Sequence, residues 1–406
     1  GLFEKYGEKR GPIFLFAIVV LFFTIFDSMM SYIAPILIEE RGFSLSMIGF
    51  IIGSSSIVGA LFDFFVSKFF KNTDYRKMFL IMFALCTLYP LILWQASTFW
   101  LFIFAMAVWG VYFDLYGFGT FNFVSRYTKE DNNSSGFGVV QIFRALGSII
   151  APLVVGLVII EGVDWRAFSL GWIFLGIGFV VFVALIFVMR KHYPDQQNAT
   201  LAPRRKNFFI ELHLWKKLGK SMSPMLFLTF FLFFTEAFFW TLAPLYAQSL
   251  SIQMFGGLFL TAYTLPALIV GWFVGYFTYR FGKKRTAFIG VLIGSLIMIL
   301  FVYFAGTFLS ILVVFLASFF ISTALPAINA TYADYISSSP QVEGEIEGLE
   351  DFAFNIGYVL GPISAGLLAD LFSIPIAFSV LGAFGVFLAT ILLLITTNYT
   401  KESIAI

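Results

Sequence analysis

One cysteine, Cys86, and two histidines, His192 and His213, are all that 406 residues contain of the side chains that most often make disulfides or hold transition metals. No disulfide can close within the chain, and a thiolate metal site is excluded. Both histidines fall in one polar stretch, so a histidine-based catalytic or metal centre inside the apolar segments is excluded as well. Charge is also scarce. Asp, Glu, Lys and Arg make up 12% of the chain, against about 25% in a soluble domain, so half the charge needed to coat a water-exposed surface is missing. A Gly-rich phosphate loop followed by Lys and Ser/Thr is absent, so ATP hydrolysis is not expected. No cofactor, metal or nucleic-acid partner is expected. The segment after Gly1 does not read as a cleavable leader.

What the chain has instead is apolar surface. Hydrophobic residues make up 60% and aromatic residues 20%, including 56 Phe. A membrane-crossing helix needs about 20 mostly apolar residues, and such runs follow one another with little between them. Approximate spans are 12–38, 45–70, 77–97, 99–126, 136–161, 167–189, 224–249, 252–279, 286–305, 307–335, 347–370 and 374–397. The lipid bilayer is therefore the chain's surroundings, and the fold class is an all-α membrane protein. An even count puts both termini on one side. Lys and Arg cluster at Lys5 to Arg10, Lys68 to Lys77, Arg126 to Lys129, Arg190 to Lys220 and Arg280 to Arg285, all on that same side. The opposite side holds Arg41 and Arg166. Positive charge marks the cytoplasm, so a multi-pass protein of the cell membrane with both termini cytoplasmic is expected. The longest loop, 191–222, divides the chain into a six-helix bundle at 1–190 and another at 223–406. Within it, Phe208 to Gly219 reads either as a short amphipathic helix at the membrane surface or as a basic linker anchored by Trp215.

The two bundles repeat one another. Asp27-Ser-Met-Met-Ser-Tyr-Ile-Ala-Pro35 matches Glu236-Ala-Phe-Phe-Trp-Thr-Leu-Ala-Pro244: a carboxylate, then Ala-Pro seven and eight positions on. Gly147-Ser-Ile-Ile-Ala-Pro152 and Gly156 match Gly357-Tyr-Val-Leu-Gly-Pro362 and Gly366. Ser67 to Lys77 aligns with Gly275 to Arg285, and Ala167-Phe168 with Ala377-Phe378. These matches occur in order at offsets of 208 to 210 residues, which chance does not produce.

Two parallel six-helix repeats joined by a long cytoplasmic linker resemble the major facilitator superfamily over the whole chain. That family's loop between helices 2 and 3 usually reads Gly-x-Leu-Ala-Asp-Arg-x-Gly-Arg-Arg. The second-half copy here is Gly275-Tyr-Phe-Thr-Tyr-Arg280-Phe-Gly282-Lys-Lys-Arg285. Lys71 and Tyr279 stand where the motif has its aspartate. Asp164-Trp165-Arg166-Ala-Phe168 is similar to the family's Trp-Arg-x-x-Phe entry to helix 6. The resemblance implies twelve transmembrane helices in two pseudo-symmetric bundles that rock about a central site. It also implies gating roles for Arg280 and Gly282 in the loop, and for Pro152 and Pro362 where helices slide.

Ionisable residues inside apolar spans are the candidates for function. Asp27, Asp114 and Glu236 lie near the midplane and Arg144 in helix 5. A charge at a helix centre costs about 2.5–3.5 kcal/mol on insertion scales, so each is expected to face a cavity and to pair or protonate. The acids outnumber Arg144, the one intramembrane cation, so they cannot all pair with it. A carboxyl that changes protonation with conformation is a proton carrier, and Asp27, Glu236 and Asp114 are the candidates. Arg144, with Gln141 beside it, either binds an anionic group of a substrate or holds Asp114 or Asp27 in an ion pair. Tyr32, Trp240, Asn329 and Asn355 are candidate substrate contacts by depth. The expected function is secondary active transport of a small organic solute by alternating access, coupled to protons, by a monomer. A facilitative uniporter or anion exchanger with Arg144 as the clamp is the alternative. An integral-membrane enzyme is the third class, and the loops an active site would need are missing.

Overall fold

A continuous apolar run has one way to satisfy its backbone in hydrocarbon, which is to bond every N–H and C=O within the segment. The computed structural model shows that outcome. It describes residues 2–69, 73–127, 133–159, 162–192, 208–250 and 254–396, and among these no strand occurs. The helices are α1 Leu2–Glu40, α2 Leu45–Phe69, α3 Tyr75–Gln95, α4 Phe99–Tyr127, α5 Asn133–Val158, α6 Trp165–His192 and α7 Phe208–Ser249. They continue as α8 Met254–Phe281, α9 Lys283–Ile299, α10 Phe301–Phe304, α11 Leu309–Ile321, α12 Ala324–Ser338, α13 Glu343–Leu371 and α14 Ile374–Ile395. Large apolar side chains stand outward: Trp272 is 86% exposed, a surface that only lipid accommodates.

Two of the expected spans are broken. The span 286–305 divides at Leu300 into the 17-residue α9 and the four-residue α10, and eleven other described segments, with Leu309–Ser338 counted as one, have the length and hydropathy to cross a membrane. The span 307–335 divides at Ser322–Thr323 into α11 and α12. Pro326 explains the second break, because it has no N–H to return to the carbonyl of Ser322 four residues earlier. The Thr323 hydroxyl donates to Phe320 O at 2.7 Å and covers the turn. The stretch from Phe208 to Gly219 is the leading part of α7, with the Trp215 ring centre 5.8 Å from that of Phe352 on α13.

The helices form two compact units. The first contains α1, α2 from Ser54 onward, and α3 to α6; α1 packs on α5 and α6, and α3 on α4. Its core is aromatic: Phe16 stacks on Phe123 with ring centres 4.2 Å apart, and Phe23 on Tyr116 at 4.4 Å. The second contains α7 to α14, and its closest packing joins α7 to α13 and α9 to α14. Phe239 stacks on Tyr263 at 4.0 Å within it. Residues 43–53, the loop before α2 and its first turns, group with this second unit. There Asp370, at the end of α13, accepts hydrogen bonds from the backbone N–H of Leu45 (3.2 Å) and Ser46 (2.8 Å). Its carboxylate thus satisfies donors that the start of α2 leaves open.

The repeat is visible atom by atom. A Cβ added to Gly147 on α5 would sit 2.9 Å from Leu21 O and 3.2 Å from Ile25 N of α1. A Cβ added to Gly357 on α13 would sit 2.8 Å from Phe230 O and 2.8 Å from Phe234 N of α7. The two glycines are 210 residues apart and the backbone atoms they meet are 209 apart. Each half therefore brings two helix backbones into contact at the same place, which a side chain would prevent.

Candidate functional site

Asp27 lies in the middle of the 11–40 membrane span of α1, where the residues around it are apolar. It is 8% exposed. One oxygen, Oδ1, accepts two hydrogen bonds from α4: Trp109 Nε1–H donates at 2.8 Å and the Tyr112 hydroxyl at 2.9 Å. Residues three apart share a helix face, so α4 presents both donors to α1 together. Tyr112 is fully buried, with Tyr89 edge-on at 5.6 Å and Phe23 edge-on at 6.1 Å. Cys86 and Tyr89 of α3 lie within electrostatic reach of the carboxyl. Arg144 on α5 is within charge reach of Asp27 and of Tyr116, and its guanidinium carbon lies 5.8 Å from the centre of the Phe113 ring. The first unit thus gathers an acid, two fixed donors and a cation from three helices.

Glu236, the counterpart of Asp27, is placed differently. It is half-buried on α7 and lies within charge reach of Tyr263 on α8. The 209-residue spacing from Asp27 to Glu236, counted from Trp109 and Tyr112, lands on Ser318 and Ile321. Neither offers an indole or phenol donor. Ser318 instead donates to the carbonyl of Tyr263 at 2.5 Å.

The other candidates are spread around these two centres. Asp114 follows Tyr112 by two positions and so leaves α4 on another side. Its Oδ2 lies against α2, where a Cβ on Gly59 would come within 2.9 Å of it. Tyr32 is buried in α1 at 2% exposure, while Gln141 is exposed on α5. Trp240 is half-buried one turn after Glu236, and Asn329 is exposed on α12. Asn355 donates through Nδ2 to the carbonyl (3.0 Å) and carboxylate (3.1 Å) of Asp351 on its own helix. Trp109 and Tyr112 escaped the sequence reading because an aromatic in an apolar helix usually packs. The one available signal was two polar-tipped aromatics three apart in a span that also holds an acid.

The family model of the Major Facilitator Superfamily matches residues 15–345 and 225–405. The chain belongs to the Major Facilitator Superfamily. Solved members share its fold. The chain is similar to a single-substitution variant of the nucleoside transporter NupG, with a TM-score of 0.72 and 16% identity over 94% of this chain and 99% of that one. It is similar to a bacterial homologue of the human lysosomal transporter Spinster in an inward-facing, unoccupied conformation, with a TM-score of 0.68 and 12% identity over 95% of each chain. The E. coli fucose:proton symporter FucP gives a TM-score of 0.57 and 17% identity over 94% of this chain and 98% of that one. No curated protein sequence matches the chain.

The superfamily's basic loop lies between α8 and α9. Gly282 holds it with φ at +86°, a backbone region that favours glycine, just before α9 begins. Lys283 Nζ pairs with Asp334 Oδ2 at 2.6 Å and donates to Ala330 O at 3.2 Å, both on α12. Lys284 is buried, with Nζ 5.5 Å from the centre of the Tyr335 ring. Arg280 turns away from these contacts and donates to the Tyr276 hydroxyl at 2.9 Å. Pro152 and Pro362 are buried inside α5 and α13.

Proposed function

We propose that this member of the superfamily is a secondary active transporter that moves a small organic solute by alternating access, with Asp27 as the carboxyl that takes up and releases the coupling proton. The observation that carries the reading is the convergence on Asp27 of two side-chain donors, from Trp109 and Tyr112, within a membrane span. Stability alone does not account for that arrangement. Well-packed apolar groups of similar volume usually match or exceed a buried charged cluster in stability, and the surrounding core is already aromatic. Taking a carboxylate out of water penalises its charged form, and hydrogen bonds to that form oppose the penalty. A group held between the two effects responds to small changes in its surroundings, which is what coupling requires. Glu236 stands at the matching place in the other half as an auxiliary acid.

Arg144 supports a second reading. Half-buried over Phe113 and within reach of Asp27, it has the chemistry to clamp an anionic solute, which would suit a uniporter or anion exchanger. Both termini are assigned to the cytoplasm from the distribution of Lys and Arg. A cysteine placed at the exposed Gln341 is then labelled only from that side, and labelling from outside intact cells reverses the orientation.

The test begins with thermal shifts of the purified protein against a solute panel, since a solute that binds the native state raises its melting temperature. Nucleosides and fucose head the panel, after the structural relatives. The solute that binds is then followed into sealed proteoliposomes with and without an imposed pH gradient. Accumulation driven by the gradient supports proton coupling. Equilibration that ignores the gradient supports the uniporter.

A further inference from the structure

Resting on the reading of Asp27 as the proton carrier, we infer that Trp109 and Tyr112 are positioning residues that tether Oδ1 and leave Oδ2 as the oxygen that binds and releases the proton. Both donors reach the same atom, at 2.8 and 2.9 Å. Oδ1 has two lone pairs in the carboxyl plane and the two donors take both, so a proton on Oδ1 would displace one of them. A proton on Oδ2 breaks nothing: a new O–H bond forms there, the carboxylate charge is cancelled, and Oδ1 becomes a carbonyl oxygen that keeps both donors. On release the Oδ2–H bond breaks, the proton leaves to water, and the negative charge returns.

The tether is rigid. Tyr112 is enclosed by Phe23, Phe26 and Tyr89 and has no exposed surface. From α3 the groups near Asp27 are Cys86 and Tyr89, from α4 Trp109, Tyr112 and Tyr116, and from α5 Arg144. From α6, Gly171 packs on Met30 and Phe26, and Phe174 on Phe22, without a titratable group. Tyr89 is the natural control, because it lies beside the site while its hydroxyl makes no bond to Asp27 among the described residues.

Infrared difference spectra of the full-length protein, recorded across a pH titration in lipid nanodiscs, read the assignment directly and need no solute. A protonated carboxyl shows a C=O band whose wavenumber falls when its carbonyl oxygen accepts hydrogen bonds. Asp27→Asn identifies the band by removing it. Trp109→Phe and Tyr112→Phe are each expected to move that band to higher wavenumber, and Tyr89→Phe to leave it in place. Unmoved bands in both Trp109→Phe and Tyr112→Phe overturn the inference while the proton-carrier reading stands. If Asp27→Asn removes no titrating band, the proton-carrier reading itself fails. Should Trp109→Phe not fold, Tyr112→Phe alone decides, because it deletes one oxygen and keeps the ring.

Discussion

The two halves of this transporter share a backbone plan and differ in what they build on it. In the first half, an acid on the opening helix is held by two donors from α4 and lies within reach of a cation from α5. In the second half, the matching acid is half-buried with a tyrosine within charge reach, and the positions matching Trp109 and Tyr112 are Ser318 and Ile321. Gly147 and Gly357 meanwhile make the same backbone contacts in the two halves. The halves share this packing and differ in their polar chemistry. One half buries its acid against two fixed donors, and the other leaves its acid half-buried.

The sharpest way to break this comparison is to exchange side-chain lengths. Asp27→Glu adds a methylene where two donors fix the oxygen's position, and a displacement of about 1 Å can cost about 100-fold in rate. Gradient-driven uptake is expected to fall by about that factor. Glu236→Asp, at the half-buried position, is expected to retain most of the rate. Equal losses would erase the distinction between the halves.

Packing offers the opposite test, because there the halves should behave alike. Gly147→Ala and Gly357→Ala each force a methyl group into a backbone contact under 3.0 Å, an overpacking that costs about 1–3 kcal/mol. Melting temperatures of the two variants should fall by similar amounts. A large drop for one alone would mean that the shared geometry is not shared energetically.

The repeat was legible in the sequence because acids, glycines and prolines recur together at one fixed offset, so four matches stand out from an apolar background. Asp27 was legible for a related reason, as an isolated charge in an apolar run. Its partners were not. With 8 Trp and 17 Tyr in the chain, nothing local distinguishes a ring that donates to a carboxyl from one that fills space, and the pairing depends on how α1 and α4 lie against each other. The break at Ser322–Thr323 was within reach of the sequence, since Pro326 marks it, but the hydrophobic run continues through it and apolarity alone reads as one span.

Smaller effects are expected where charge meets helix ends. Asp370→Asn keeps one acceptor oxygen, replaces the other with an NH2 group, and removes the negative charge at the start of α2, so one of the bonds to Leu45 and Ser46 is lost, at a cost of about 0.5–1.5 kcal/mol. A shift in melting temperature should be just measurable, and a collapse would show that Asp370 has further work. Lys283→Ala cuts the pair with Asp334, whose side chains are 37% and 44% exposed. Such pairs contribute about 0–1 kcal/mol, so stability should scarcely change and any loss should appear in the transport rate.

Asp27 is the proposed carrier of the coupling proton. The most direct test of that role is solute accumulation in proteoliposomes under an imposed pH gradient, comparing the wild-type chain with Asp27→Asn and with Glu236→Gln. The asparagine keeps the size and the acceptor oxygen for Trp109 and Tyr112 while removing the titration. Asp27→Asn is expected to exchange solute at equal pH on both sides but to accumulate none, while Glu236→Gln still accumulates at a reduced rate. Accumulation by Asp27→Asn at the wild-type level would contradict that role.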